Sequence, residues 1–305
     1  MAKHIPPSLK INYSADASVK GKLSSLGPTV TGSIKSTRPQ VWGEDFDGLT
    51  LQYELFNNQL KLTEIDLKKD RGSVTGALQI GTKDSSLDFD LSAQSFRLSQ
   101  FNIYQLIKPG FDSDINIKAA GAGELKTLRH NISVYLLNQK IGEQPLADSK
   151  FSITGNQGET NIIGQLLNKR IKFLGKLYPF NNSKESTIDF DFRVDDLGLL
   201  MGLLSEQHLS RGIKGKLYGN LNANFNPARL EDLDLNLKIR ALEVIKGGNS
   251  LVLRKDRERI IIKDGAIEEW RLIFDGANSQ IKSVATGTLR GGVTLHNDIN
   301  IDAGF

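Results

Sequence analysis

Leu233-Asp234-Leu235-Asn236-Leu237-Lys238-Ile239 alternates apolar and polar side chains without a break. Successive side chains of a strand point to opposite faces, so this stretch reads as a strand with one dry face and one wet face. The pattern recurs to either side. Leu49, Leu51, Tyr53 and Leu55 share a face, as do Leu87, Phe89, Leu91 and Ala93, and Ile188, Phe190, Phe192 and Val194. Weaker alternation marks residues 74–80, 132–136, 171–177, 217–225 and 299–301. The links between these stretches carry turn chemistry suited to positive φ: Asn57-Asn58, Asp70-Arg71-Gly72, Asn156-Gln157-Gly158, Asn181-Asn182-Ser183, Gly247-Gly248-Asn249 and Asp264-Gly265. Links this short leave little room for parallel crossovers. The chain reads as all-β, with about 20 antiparallel strands.

A second regularity is longer. Val19-Lys20-Gly21-Lys22-Leu23, Ile115-Asn116-Ile117-Lys118-Ala119-Ala120-Gly121 and Ile213-Lys214-Gly215-Lys216-Leu217-Tyr218-Gly219 follow one another at a spacing of about 97 residues. A fixed period of this kind means stacked units, so the chain is expected to be one continuous array with approximate units 1–98, 99–196 and 197–305. Two segments break the alternation. Phe101, Tyr104, Leu106 and Ile107, and then Leu197, Leu199, Leu200, Leu203 and Leu204, fall at helical spacing. They predict short amphipathic helices over about residues 99–108 and about residues 197–209, each just before a glycine-bearing repeat strand. Such helices either cover one end of the sheet or cap a groove. Gly21, Gly76, Gly121, Gly123, Gly175, Gly215, Gly219 and Gly287 sit inside strands rather than at turns. Strand glycine marks bulges, bends and close approach, and a curved sheet is where it is useful. The expected fold is an elongated, curled antiparallel sheet forming a groove.

Composition narrows the function. Hydrophobic residues make up 39% of the 305, charged residues 24%, and the formal net charge is +4. That is ordinary for a folded chain. The charges are mixed, with no concentrated basic stripe of the kind that binds nucleic acid. The two dense clusters, Lys68-Lys69-Asp70-Arg71 and Arg254-Lys255-Asp256-Arg257-Glu258-Arg259, carry both signs and read as solvated turns. The absence of Cys excludes disulfides, thiolate zinc sites and a Cys nucleophile. No apolar run approaches the ~18 residues needed to span a bilayer as a helix. His4, His130, His208 and His296 stand alone, without metal-ligand spacing, and no catalytic motif is present. The aspartate pairs Asp88/Asp90, Asp189/Asp191 and Asp232/Asp234 fall on wet strand faces, where charge also discourages edge pairing. Trp42 and Trp270 read as core or edge packing. No catalytic residue, metal or cofactor is expected.

The order of elements resembles a known family. Val194-Asp195-Asp196-Leu197-Gly198-Leu199-Leu200, the strand Ile213 to Gly219, Asn226-Pro227-Ala228-Arg229-Leu230 and Leu233-Asp234-Leu235 resemble the TamB and AsmA-like proteins, and Ile262 to Ile267 followed by Val284 to Leu289 continues the likeness. It covers roughly residues 19–305. The resemblance implies a long, curled β-sheet with a hydrophobic channel. It implies an inner-membrane anchor, extension through the periplasm, and roles in phospholipid transport and outer-membrane protein assembly. The family's N-terminal anchor and C-terminal region are not seen here, so the chain reads as an internal segment.

Lipid carriage makes one physical demand. A two-chain phospholipid has about 30 methylenes, and at ~0.8 kcal/mol each their exposure to water costs over 20 kcal/mol. A carrier must therefore offer a dry surface. A sheet with one apolar face must also cover that face, and two short helices are too few for about 20 strands. Either the face lines a groove filled by a guest, or the sheet doubles back as a closed sandwich. On the first alternative, phospholipid acyl chains slide on Leu51, Tyr53, Phe89, Leu91, Phe190, Phe192, Leu235 and Leu237. A competing function is a scaffold whose open strand edges pair with client strands in outer-membrane barrel assembly.

Overall fold

The computed structural model describes residues 20–24, 27–41, 43–102, 104, 111–142, 144–167, 169–181, 183–198, 212–255 and 258–300, with 20–24 and 27–28 described by backbone alone. The strands are β1 (Lys20–Ser24), β2 (Gly27–Ser36), β3 (Gln40–Val41), β4 (Glu44–Asp45), β5 (Gly48–Phe56), β6 (Gln59–Lys69), β7 (Gly72–Gly81), β8 (Ser86–Arg97), β9 (Phe111–Glu124), β10 (Arg129–Ile141), β11 (Gln144–Pro145), β12 (Ser149–Asn156), β13 (Glu159–Leu166), β14 (Ile171–Leu177), β15 (Ser186–Val194), β16 (Lys214–Asn226), β17 (Arg229–Lys246), β18 (Asn249–Leu253), β19 (Arg259–Lys263), β20 (Ala266–Asp275), β21 (Gln280–Thr288) and β22 (Gly292–Asn300). β3 and β4 form a small sheet of their own, and the others belong to one 20-stranded sheet. All the pairings with a described register are antiparallel, as the short links require.

The chain divides into two compact units. The first comprises Met1–Lys108, Asp112–Gln139 and Ser152–Gln157, and the second Pro109–Phe111, Lys140–Phe151 and Gly158–Phe305. In the first, hydrogen-bonded neighbours run from β1 through β2, β5, β6, β7 and β8 to β9. In the second they run from β13 through β14, β15 and β16 to β17. There β17 pairs with β18 and β19 at separate points along its length, both pair with β20, and β21 and β22 follow.

The element order itself repeats. Six strands start at β1, again at β9 and again at β16, each time with an insert after the second strand (37–47, 142–148 and 249–258). After the sixth strand, β8 or β15, the described residues carry only short helical stretches. These are a 3-10 turn at Leu98–Gln100 with Asn102 and Tyr104 helical, and then Leu197 and Gly198 helical. The rest of the two expected helices lies outside the described residues, as do Trp42 and Val19. In an antiparallel ladder alternate strands end on the same side. Within each unit, inserts and helical segments therefore share one end of the sheet, and the other end carries tight turns such as Asn57-Asn58, Gln157-Gly158 and Asp264-Gly265. The left-handed backbone expected at those turns is present: φ is 47 and 61 at Asn57 and Asn58, and 48 and 72 at Asp264 and Gly265.

Bulges hold the faces in phase. In β6, Leu62 and Ile65 lie on one face although they are an odd number of residues apart, because Glu64 takes φ 51 and absorbs the extra residue. Ser95, at φ 59, does the same between Ala93 and Phe96. At Gly76 and Gly215, φ is 141 and 140, and a Cβ would meet the carbonyl oxygens of Asp90 and Glu243 across the ladder. Only glycine supports that close approach of one strand to the next.

Two of the three inserts, the first and the last, are tied down near the end of their repeat's fourth strand. The Lys69 ammonium, at the end of β6, pairs with Glu44 at 3.3 Å, donates to the Asp45 carbonyl at 2.7 Å, and lies between the Phe46 and Phe101 rings at 5.6 and 5.8 Å. Glu44 in turn accepts the Asn102 N–H at 2.6 Å. In the second unit the same place is held by Arg254, whose guanidinium makes a two-pronged contact with Asp275 at the end of β20 (2.8 and 2.9 Å). Reading the cluster at 68–71 as wholly solvated is therefore corrected: Lys69 is only 8% exposed. The small insert hairpin reaches back to claim it, and a pairing between distant residues leaves no trace in the local sequence.

Candidate functional site

The apolar face is built from cross-strand rows. In the first unit one row runs Gly32, Tyr53, Leu62, Leu78, Phe89, Gly121, each directly opposite the next. Leu91 stands two residues from Phe89 on β8, opposite Gly76 and Ala119. Leu51 stands two residues from Tyr53 on β5, opposite Ile34. In the second unit a row runs Phe173, Phe190, Leu221, Leu237, Ile260, Trp270. A parallel row includes Gly175, Ile188, Ala223, Leu235 and Ile262, and Phe192 stands opposite Ile171 and Gly219. All eight sequence-predicted lining residues thus lie in such rows, four in each unit.

Their burial is graded. Leu51, Tyr53, Phe89, Leu91, Phe190, Phe192, Leu235 and Leu237 are all half-buried, while Gln52, Glu54, Asp88, Asp90, Asp189, Asp191 and Asn236 between them are exposed. In the second unit Ala223, Ile239, Ile260 and Ile262, along the middle of the rows, are each below a tenth exposed. Burying one such side chain fully gives about 1.5–3 kcal/mol. The part still exposed leaves under about 1 kcal/mol per residue for whatever covers it, and so under about 8 kcal/mol over the eight.

Aromatic rings reinforce one stretch. Phe173 and Phe190 stack with centroids 5.6 Å apart and planes 16° apart, and Phe151 joins Phe173 at 6.4 Å. Trp270 ends the same row, and its indole N–H is buried without an acceptor among the described residues. That leaves about 1–3 kcal/mol of desolvation uncompensated. Phe173, Leu221, Ile260 and Trp270 were not singled out as lining from sequence. Each is unremarkable alone, and only the strand register aligns them.

The opposite face is mostly polar and internally paired, with Ile163 and Leu174 open on it. Asp189 accepts from the Asn222 amide at 2.5 Å, Asp191 pairs with Arg240 at 2.7 Å, and Asp234 accepts the Asp264 N–H at 2.6 Å. Arg240 reaches Asp191, two strands away, from the bulge that displaces it out of the β16–β17 ladder. Among the described residues no three acidic or histidine side chains gather as a metal site, and no helix is long and apolar enough to cross a membrane. The polar groups with perturbed proton affinity serve structural contacts. For Asp112, burial works against ionisation, but the Arg97 guanidinium at 2.7 Å and the N–H groups of Ser99 and Ser113 outweigh it and hold the carboxyl below its ordinary value.

Comparison with known protein families, with characterised proteins and with solved structures found no match to this chain. The reading of its function rests on its own residues and their arrangement.

Proposed function

We propose that this chain is a segment of a lipid conduit, in which the apolar face lines a groove that carries phospholipid acyl chains between membranes. The observation that carries the reading is the half-buried state of all eight lining residues, in rows backed by an exposed polar face. A dry surface without directional contacts suits acyl chains of any length and predicts low selectivity. The likeness to TamB and AsmA-like proteins supports the same reading. It adds a periplasmic setting and a contribution to outer-membrane biogenesis. The test is mass spectrometry of the purified protein together with transfer of a labelled phospholipid between vesicles. Co-purifying phospholipid is expected, with at least a fivefold loss of transfer in Phe190→Glu and Leu235→Lys. Protein free of lipid, or full transfer by folded variants, rejects the proposal.

A second reading has one observation in its favour. Every residue of β22 is exposed, the strand pairs only with β21 among the described residues, and Val293, Leu295 and Ile299 stand open on one face. An edge of this kind can template a further strand. As a scaffold in outer-membrane barrel assembly, the chain would crosslink to client strands through β22 without bound lipid.

A further inference from the structure

Four phenylalanines of the apolar face lie on glycines: Phe96 on Gly72, and three whose glycine is directly opposite in the ladder. Phe89 is directly opposite Gly121, Phe192 opposite Gly219, and Phe173 opposite Gly164. A Cβ on Gly121 would come within 2.8 Å of the Phe89 ring, one on Gly219 within 2.6 Å of the Phe192 ring, and one on Gly164 within 2.1 Å of the Phe173 ring. Real Cβ atoms do not approach ring carbons this closely. Each ring therefore occupies the space that any other residue's side chain would fill, and lies down across the neighbouring strand. His130 does the same over Gly155, at 1.9 Å. Two of the pairs, Phe89 with Gly121 and Phe192 with Gly219, sit at the same place in the element repeat, where a sixth strand meets the first strand of the next repeat. The recurrence ties the arrangement to the repeat rather than to chance packing.

We propose that these glycines are seats that hold the rings flat against the sheet, so that Gly164, Gly121 and Gly219 set the free depth above the apolar lining. The inference rests on the lipid reading and names residues that decide what passes. A seated ring adds apolar area without standing up into the groove. With a methyl group in the seat, the backbone blocks the ring from below and it moves toward the open side. Gly164 is the cleanest case. The three nearest atoms to its added Cβ are all ring atoms of Phe173, whereas at Gly121 and Gly219 a backbone oxygen, of Arg129 or Lys238, also stands within 3 Å. Lifting Phe173 would also break its stack with Phe190.

The experiment compares vesicle-to-vesicle transfer of a labelled phosphatidylethanolamine by the full chain, by Gly164→Ala, by Phe173→Leu and by the double variant, with thermal melts to confirm folding. Gly164→Ala is expected to cut transfer at least fivefold, and the double variant to return to within twofold of Phe173→Leu, because a shorter side chain clears the filled seat. Phe173→Trp enlarges the ring over an unaltered seat and is expected to reproduce the loss even if Gly164→Ala does not fold. Full transfer by Phe173→Trp, or a double variant as slow as Gly164→Ala, overturns the seat while leaving the lipid reading intact. Failure of the unaltered protein to carry or transfer lipid overturns both.

Discussion

At the scale of single residues, Asp112 shows how a polar group is fixed at the end of the sheet. It is 8% exposed, at the start of β9, and accepts from Arg97, Ser99 and the Ser113 N–H. Its carboxyl titrates below the ordinary value of 3.8 in the folded chain. The folded state therefore binds fewer protons than the unfolded state near that pH. The stabilisation is complete above the unfolded value and is lost as pH falls through the lower folded one. Asp112→Asn is expected to cost about 2 kcal/mol at pH 7, the scale of hydrogen bonds to a charged group. It should also flatten the fall in stability between about pH 5 and pH 3. Urea denaturation midpoints across that range measure both. An unchanged pH profile in the variant would show that Asp112 is not the group responsible.

At the scale of elements, the inserts are held by chemistry that changes sign between repeats. In the first, an acid on the insert, Glu44, meets a base on the strand, Lys69; in the last, a base on the insert, Arg254, meets an acid on the strand, Asp275. The Lys69 pair is the more buried, with side chains 10% and 17% exposed. Removing one partner of a buried pair strands the other charge. Lys69→Met is therefore expected to destabilise by roughly 3 kcal/mol, and adding Glu44→Gln to recover part of that loss. Denaturant midpoints and protease cleavage within residues 37–47 read the outcome. The Arg254 pair is 42% exposed on both sides, and its loss should cost under about 1 kcal/mol.

These elements also show which parts of the fold are legible locally. The strands at 49–55, 87–93, 188–194 and 233–239 are visible because their alternation is unbroken. β6 is not, because the bulge at Glu64 shifts the phase halfway along, and a period-two reading sees two fragments too short to count. The inserts are hidden because their anchors lie 25 or 21 residues away. Glycines inside strands were read as bends. Gly76 and Gly215 mark close approach to a neighbouring backbone, whereas Gly121 and Gly219 lie beneath rings on neighbouring strands, a role that only register reveals.

At the scale of the whole molecule, the apolar lining makes a thermodynamic prediction. Half-buried rows of Leu and Phe bind amphiphilic dyes until something else covers them. The delipidated chain is expected to enhance anilinonaphthalene sulfonate fluorescence, and phospholipid to suppress it. At a hundredfold excess over its dissociation constant, phospholipid should add about 2.7 kcal/mol to the unfolding free energy. A delipidated chain that neither binds the dye nor gains stability has its apolar face covered by its own residues.

The sequence by itself determined the all-β class and the antiparallel pairing, and it carries the period of about 97 residues and the alternation that gives each strand an apolar face. Each of these follows from the two-residue periodicity of a strand and from turn chemistry, which are local properties. Tertiary structure alone decided which residues stand opposite one another, how the inserts close onto Lys69 and Asp275, and which glycines lie beneath rings. Cross-strand register joins residues tens of positions apart. A single displaced residue reverses a strand's faces, so register is settled only when whole strands pack together.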